Sequence, residues 1–253
     1  MIVALCFFGL TRSLKLTYPS IETQIFNILK TENIPYDVYL HTYDLKVLTN
    51  TRSKEIKCTL DPLEYSLLNP YKKSVQNQAT FDNSLSFKSF TKHGDPWNDK
   101  YQSLRNLLRQ LNSLNQVTQL WMSEEKQYDA VIYLRPDLEY LAPFPIDQLY
   151  ECIKTKDRSI YTPAWHQWRG LNDRLAMGTP EIMQIYGSRF LHASKYASQS
   201  KLHAERYLKH IIFTNNITNK HFEIYGNRVR SNGKSLKDVR NIPKKRQVTP
   251  SSN

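Results

Sequence analysis

Glycine is scarce in this sequence, with 7 among 253 residues. A backbone cradle for phosphates needs several glycines close together, and no glycine-rich phosphate loop is present; nor is there a G-x-S-x-G elbow, an H-E-x-x-H pair or a paired C-x-x-C. Cys6, Cys58 and Cys152 are far apart and odd in number. They fit neither a disulfide framework nor a zinc site, which makes a reducing compartment the default. The 7 histidines show no metal-ligand spacing. Long apolar runs are missing too. The opening "MIVALCFFGL" has no basic segment before it and is too short to span a bilayer, so it reads as a buried first strand. No other segment approaches transmembrane length, and the chain reads as soluble and cytoplasmic.

Positive charge is plentiful. The net charge is +12, with a pI near 9.5, and this points to an anionic partner: nucleic acid, a phosphorylated ligand or a membrane surface. Much of it falls late, in "YGNRVRSNGKSLKDVRNIPKKRQ". Residues 242–253 lack apolar periodicity and read as a basic flexible tail. Tyrosine numbers 16; its ring and hydroxyl suit carbohydrate or nucleotide pockets, although plain compositional bias explains it as well.

The order of elements gives an α/β fold: a Rossmann-like, mostly parallel central sheet flanked by helices. The run from Ile2 to Phe8 is continuously apolar, as a strand covered on both faces requires. A helix follows in "YPSIETQIFNILKTENI", with Pro19 near its start, and then a strand in "YDVYLHTYD". Together they make a βαβ unit and hence parallel strands. Residues 45–96 are polar without a sustained period. Leu104, Leu107, Leu108, Leu111, Leu114, Val117, Leu120 and Trp121 keep helical spacing, and a strand over 129–135 comes next. Short strands are expected in "SIYTPAW" and "LNDRLAMG". Thr179, Pro180 and Glu181 mark a helix start, "LHAERYLKHIIF" is a last helix, and "KHFEIYGNRVR" is a final strand.

Ligands of such sheets sit beyond the carboxyl ends of the strands. Three strand ends carry polar groups: Gly9 with Arg12, His41 with Asp44, and Arg135 with Asp137 and Glu139. In extended backbone, residues two apart share a side, so Asp137 and Glu139 could share Mn²⁺ or Mg²⁺ that also holds a diphosphate. Arg135 could offset the remaining phosphate charge. The plain alternative is a surface Arg–Asp pair. Trp165, His166, Trp168, Asn172, Asp173 and Arg174 share one loop, "WHQWRGLNDR", whose rings and short polar groups suit sugar recognition; two tryptophans packed beneath a loop would give the same pattern. Glu205, near His203, reads equally as a solvated helix residue or as part of a site.

Taken in order, "FFGLTR", "DVYLHTYD", the long helix, "YDAVIYLRPDLEYLAPFP", "GLNDRLAMGTPEIMQIYGSRF" and "HAERYLKHI" resemble a GT-A type glycosyltransferase, and among these the small soluble enzymes of large algal DNA viruses. The resemblance runs from Met1 to about Asp238. It implies one domain over residues 1–241, with a nucleotide-sugar-binding half over 1–140 and an acceptor-binding half over 141–241, acting in glycan biosynthesis in a host cytoplasm. The implied donor site holds Gly9, Leu10, Arg12, His41, Asp44, Arg135, Asp137 and Arg174. Trp165, His166, Trp168 and Asn172 would meet a glycan or glycoprotein acceptor. Glu205 and Asp173 are the implied catalytic carboxylates, and Asp137 with Glu139 the implied metal ligands for Mn²⁺ or Mg²⁺. The chain departs from the family's D-x-D pattern, since R-P-D-L-E puts Arg135 in place of the first carboxylate. Either Asp137 and Glu139 hold the metal, or Arg135 replaces part of it. Two rivals remain: a basic nucleic-acid-binding protein, and an inactive sugar-binding module of the same fold.

Overall fold

Strand β1 (Val3–Phe8) has all six side chains at zero exposure. Its alternate residues feed two cores: Val3, Leu5 and Phe7 face one layer, and Ala4, Cys6 and Phe8 the other. Burial of each large apolar side chain stabilises the fold by roughly 1.5–3 kcal/mol, which fixes β1 at the centre. The computed structural model describes residues 1–239 and 242–243. The tail expected over 242–253 therefore lies almost wholly outside the described residues.

After β1 come α1 (Leu14–Ile21), a π-turn, α2 (Asn27–Thr31) and β2 (Tyr36–Asp44). The helix begins before the expected point, leaving Pro19 in the interior of α1, where it supplies no N–H. The polar stretch then contains more structure than its composition suggests. It forms the hairpin β3 (Val47–Asn50) and β4 (Glu55–Thr59), strand β5 (Lys72–Asn77) and α3 (Gln78–Ser84). Strand β5 reads "KKSVQN" and is largely exposed. It pairs with β2 as an edge strand, so hydrophobic alternation could not reveal it.

Helix α4 (Gln102–Met122) leads to β6 (Ala130–Leu134), β7 (Leu138–Tyr140), α5 (Ile146–Thr155), β8 (Ser159–Thr162) and β9 (Ala176–Gly178). The chain continues through α6 (Pro180–Gly187), α7 (Ala193–Ala197), α8 (Ala204–Thr214), β10 (Thr218–His221) and β11 (Gly226–Arg228). Thr179 precedes α6 with Pro180 in its first turn, as expected, although the threonine hydroxyl makes no capping bond. The expected final strand is two strands in different sheets: β10 joins the main sheet, and β11 pairs with β7.

The main sheet has seven strands in the order β10-β8-β9-β6-β1-β2-β5. Every neighbouring pair is parallel except those made by β9, which runs against β6 and β8. Residues of α1, α2 and α5 cover one face, and residues of α4, α6 and α8 the other. The carboxyl ends of β1, β2, β5 and β6 thus open on one edge, with hairpin β3–β4 beside it. Among the described residues, no helix is long and apolar enough to cross a membrane.

Candidate active site

A cavity of about 930 Å³ opens along that edge. Gly9 ends β1 with φ at +101°, a region side chains rarely adopt. Its N–H donates to Ser113 Oγ at 2.8 Å, and a β-carbon built there would lie 3.8 Å from Arg135 Cζ. The strand end thereby leaves the Arg135 guanidinium at the cavity wall.

Arg135, Pro136 and Asp137 form a turn after β6, not extended backbone. Thr17 Oγ1 donates to the Pro136 carbonyl at 2.6 Å and Val229 N donates to the Asp137 carbonyl at 2.9 Å, which hold the turn in place. The Asp137 carboxylate has zero exposure. It accepts from Arg135 Nε and Nη2 at 2.9 Å each and from Arg12 Nη2 at 2.8 Å. Burial alone would raise its pKa; the guanidiniums of Arg135 and Arg12 overcome this and hold the carboxyl well below the usual carboxylate range. Arg12 Nη1 also donates to Glu55 Oε2 at 3.1 Å. Glu55 is fully buried on the hairpin, accepts from Ser231 N and Oγ at 2.9 and 2.8 Å, and lies 3.8 Å from Arg230 Nη1. Arg228 is paired with Asp238, Nε to Oδ2, at 2.6 Å.

The opposite wall begins with the loop between β8 and β9. His166, Trp168 and Arg169 all have positive φ, a conformation that costs on the order of 1–3 kcal/mol for each non-glycine residue. Three anchors offset that cost. Trp165 Nε1 donates to the Ile224 carbonyl at 2.9 Å, Asn172 Nδ2 to the Trp165 carbonyl at 2.7 Å, and Leu171 N to the Glu205 carbonyl at 3.0 Å. The loop passes so close to α8 that a β-carbon at Gly170 would stand 2.0 Å from the Glu205 carbonyl oxygen. Glu205, in the first turn of α8, is 5% exposed, with Oε2 3.2 Å from His203 Nδ1. Trp97 stacks on His203, ring centres 5.0 Å apart. Asp173 Oδ2 accepts from Gln110 Nε2 at 2.7 Å, and Gln110 Oε1 in turn accepts from Arg135 Nη1 at 2.5 Å. One amide thus joins the two walls.

Of the residues singled out in the sequence, Gly9, Leu10, Arg12, Arg135, His166, Trp168, Asp173, Arg174 and Glu205 line this cavity. Others do not. His41 is fully buried in β2 against Ser113 Oγ, and burial lowers its pKa to about 4, so it is a neutral core histidine. Asp44 is exposed at the strand end outside the lining. Trp165 and Asn172 brace the loop from within instead of facing an acceptor. The paired-carboxylate expectation also requires correction: Asp137 sits buried in the turn, while Glu139 on β7 lies 3.5 Å from Ser235 Oγ. A cation there would have to displace three guanidinium bonds from Asp137, so these residues do not fit Mn²⁺ or Mg²⁺. Among the described residues no group of three or more His, Cys, Asp or Glu side chains is placed to hold a metal ion.

The sequence did not single out Gln110, Trp97, Arg228 or Arg230, and gave His203 no role beyond its nearness to Glu205, yet all five are on the lining. The signal for the two arginines was present. Alternate arginines in "GNRVR" share a side of extended backbone, the relation expected of Asp137 and Glu139.

No protein-family model matches the chain, and no curated protein matches it. Solved structures give distant matches. Mouse xyloside xylosyltransferase 1, in its apo form, is 14% identical with a TM-score of 0.39, over 88% of this chain and 85% of the other. An active-site mutant of LgtC is 8% identical with a TM-score of 0.44, over 87% and 72%. The galactosyltransferase LgtC in complex with donor and acceptor sugar analogues is 10% identical with a TM-score of 0.41, over 87% and 73%. At such values the reading of this chain rests on its own site.

Proposed function

We propose that the chain is a glycosyltransferase that moves a sugar from a nucleoside-diphosphate sugar to a hydroxyl of a glycan or glycoprotein acceptor. The observation that carries the reading is the composition of one cavity. Arginines line its sheet edge, two poorly exposed carboxylates, Asp173 and Glu205, line the facing wall, and Trp97 and Trp168 offer rings. Phosphate groups bind at the first wall, where Arg174 and Arg230 from 141–241 join arginines of residues 1–140, and a sugar hydroxyl is activated at the second, within residues 141–241.

In the proposed step the Glu205 carboxylate takes the acceptor hydroxyl proton. The oxygen attacks the anomeric carbon, and the bond from that carbon to the diphosphate breaks, its electron pair leaving on the phosphate oxygen. Guanidiniums already aimed at the leaving group stabilise that charge without reorganisation. Attack opposite the leaving group inverts the anomeric centre. Asp173, held by Gln110, positions the donor sugar.

Thermal-shift measurement against UDP-, GDP- and other activated sugars tests the reading, since a ligand of the native state raises the melting temperature by mass action. At least one nucleotide sugar is expected to raise it. Glu205→Gln is expected to cut turnover about 10²–10⁴-fold while leaving that shift intact. Near-normal turnover would remove Glu205 as the base. Stabilisation without turnover across many acceptors would instead indicate an inactive sugar-binding module.

A further inference from the structure

The arginine cluster contains more positive charge than its own carboxylates neutralise. Among the described residues, Arg12, Arg135 and Arg230 share only Asp137 and Glu55 as ion-pair partners, and their side chains are just 9, 14 and 12% exposed. Arg230 meets its carboxylate at 3.8 Å, beyond hydrogen-bond reach. Among the described residues, Arg12 Nε, Arg230 Nε and Arg174 Nη1 find no hydrogen-bond partner although they are buried. Among the described residues, Arg174 has no carboxylate within ion-pair distance, and its guanidinium lies 5.7 Å from the Trp165 ring. Burial, followed by the charges of Arg12 and Arg228, lowers the pKa of Arg230 to about 10; burial, with Arg228, lowers that of Arg174. Like charges held together and away from water raise the energy of a site that has no anion, and an anion with oxygens spread over two phosphoryl groups relieves several of them at once.

The position of the cluster identifies its ligand. It lies beyond the carboxyl ends of β1 and β6, where the phosphates of a nucleotide bind in an open α/β sheet. The usual alternative, a divalent cation between phosphate and carboxylate, needs a carboxylate with free lone pairs facing the cavity. Asp137 instead orients two guanidiniums.

We infer that Arg12, Arg135, Arg174 and Arg230 form a diphosphate cradle that neutralises the leaving group without a divalent cation. The inference rests on the glycosyltransferase reading for the identity of the diphosphate, but the cradle itself can be tested apart from catalysis. Asp137 and Glu55 are positioning residues: they fix the forks of Arg12 and Arg135 and leave Arg230 and Arg174 under-neutralised for the ligand.

The test is calorimetric titration of the full chain with UDP, GDP and inorganic pyrophosphate, first in EDTA and then in Mn²⁺. Diphosphates are expected to bind in EDTA, with affinity changed by less than about threefold on adding Mn²⁺. Arg230→Gln is expected to weaken binding about tenfold or more, the equivalent of one charge-assisted bond. Arg174→Gln serves as a second variant because it removes a buried charge without orphaning a carboxylate. Its melting temperature is expected to hold or rise while diphosphate affinity falls. Binding only in Mn²⁺, tenfold tightening by Mn²⁺, affinity unchanged in both variants, or no diphosphate binding at all would each overturn the cradle. Arg230-dependent binding in EDTA without sugar transfer would support the cradle and overturn the transferase reading. Transfer that requires Mn²⁺ would do the reverse.

Discussion

His41 shows what burial does to a polar residue in a strand. Its side chain is enclosed by the sheet and α4, with Ser113 Oγ at 2.8 Å, and burial lowers its pKa from 6.5 to about 4. The unfolded chain therefore binds a proton that the folded chain refuses. Stability from this group is fully present above about pH 6.5 and is lost as pH falls towards 4, amounting to roughly 3 kcal/mol. Urea unfolding at pH 7 and at pH 4.5 measures the loss. His41→Asn is expected to flatten the difference, and an unchanged pH dependence in that variant would assign the acid sensitivity elsewhere. Asp137 acts at lower pH, because its flanking guanidiniums hold the carboxyl well below the usual range despite burial. It is as buried as His41, yet two arginines keep it charged.

At the scale of elements, the hairpin β3–β4 is the least conventional part of the fold. Its outer face is exposed at Val47 and Ile56, whereas Glu55 is fully buried against Arg12, Arg230 and Ser231. One carboxylate thus fastens a small two-stranded sheet, marginal on its own, to the cavity rim. Glu55→Gln is expected to loosen it. Hydrogen exchange over 47–59 should speed up by at least about tenfold, with β1 and β6 unaffected. Uniform acceleration across the molecule would mean that Glu55 supports the whole fold and not just the hairpin. The hairpin and β5 were illegible in the sequence because polar strands bound through backbone pairing leave no apolar period. The strands β1, β2 and β6 were legible because both of their faces are buried. The site divides in the same way. Arg12 and Arg135 were visible after strand ends, Asp173 and Arg174 in a loop and Glu205 at a helix start, and the cavity gathers them. The metal pair failed because Pro136 turns the chain before Asp137, where extended spacing no longer holds. Arg228 and Arg230 were hidden inside a basic stretch that reads as solvated.

For the molecule as a whole, a net charge of +12 admits two kinds of anion, and salt separates them. A cavity ligand meets a few largely desolvated guanidiniums, which salt screens weakly. A nucleic acid lying on surface lysines releases many counterions and loses about 10³-fold or more in affinity between low and moderate salt. Diphosphate affinity is expected to fall less than about tenfold over the same range. Fluorescence anisotropy with labelled duplex DNA beside calorimetry with UDP measures both. Salt-sensitive duplex binding without UDP binding would favour the nucleic-acid reading.

The arginines come from distant parts of the chain: Arg12 near one end, Arg135 in the middle, and Arg230 after β11, where Ser231 and Glu55 lock it in place. During synthesis the first strands and α4 leave the ribosome long before residue 231 does. Until then Glu55 lacks its last donors and the cradle lacks a wall. A nascent chain can therefore build most of its sheet before the proposed cradle is complete, and full diphosphate affinity is expected only after that segment has been made.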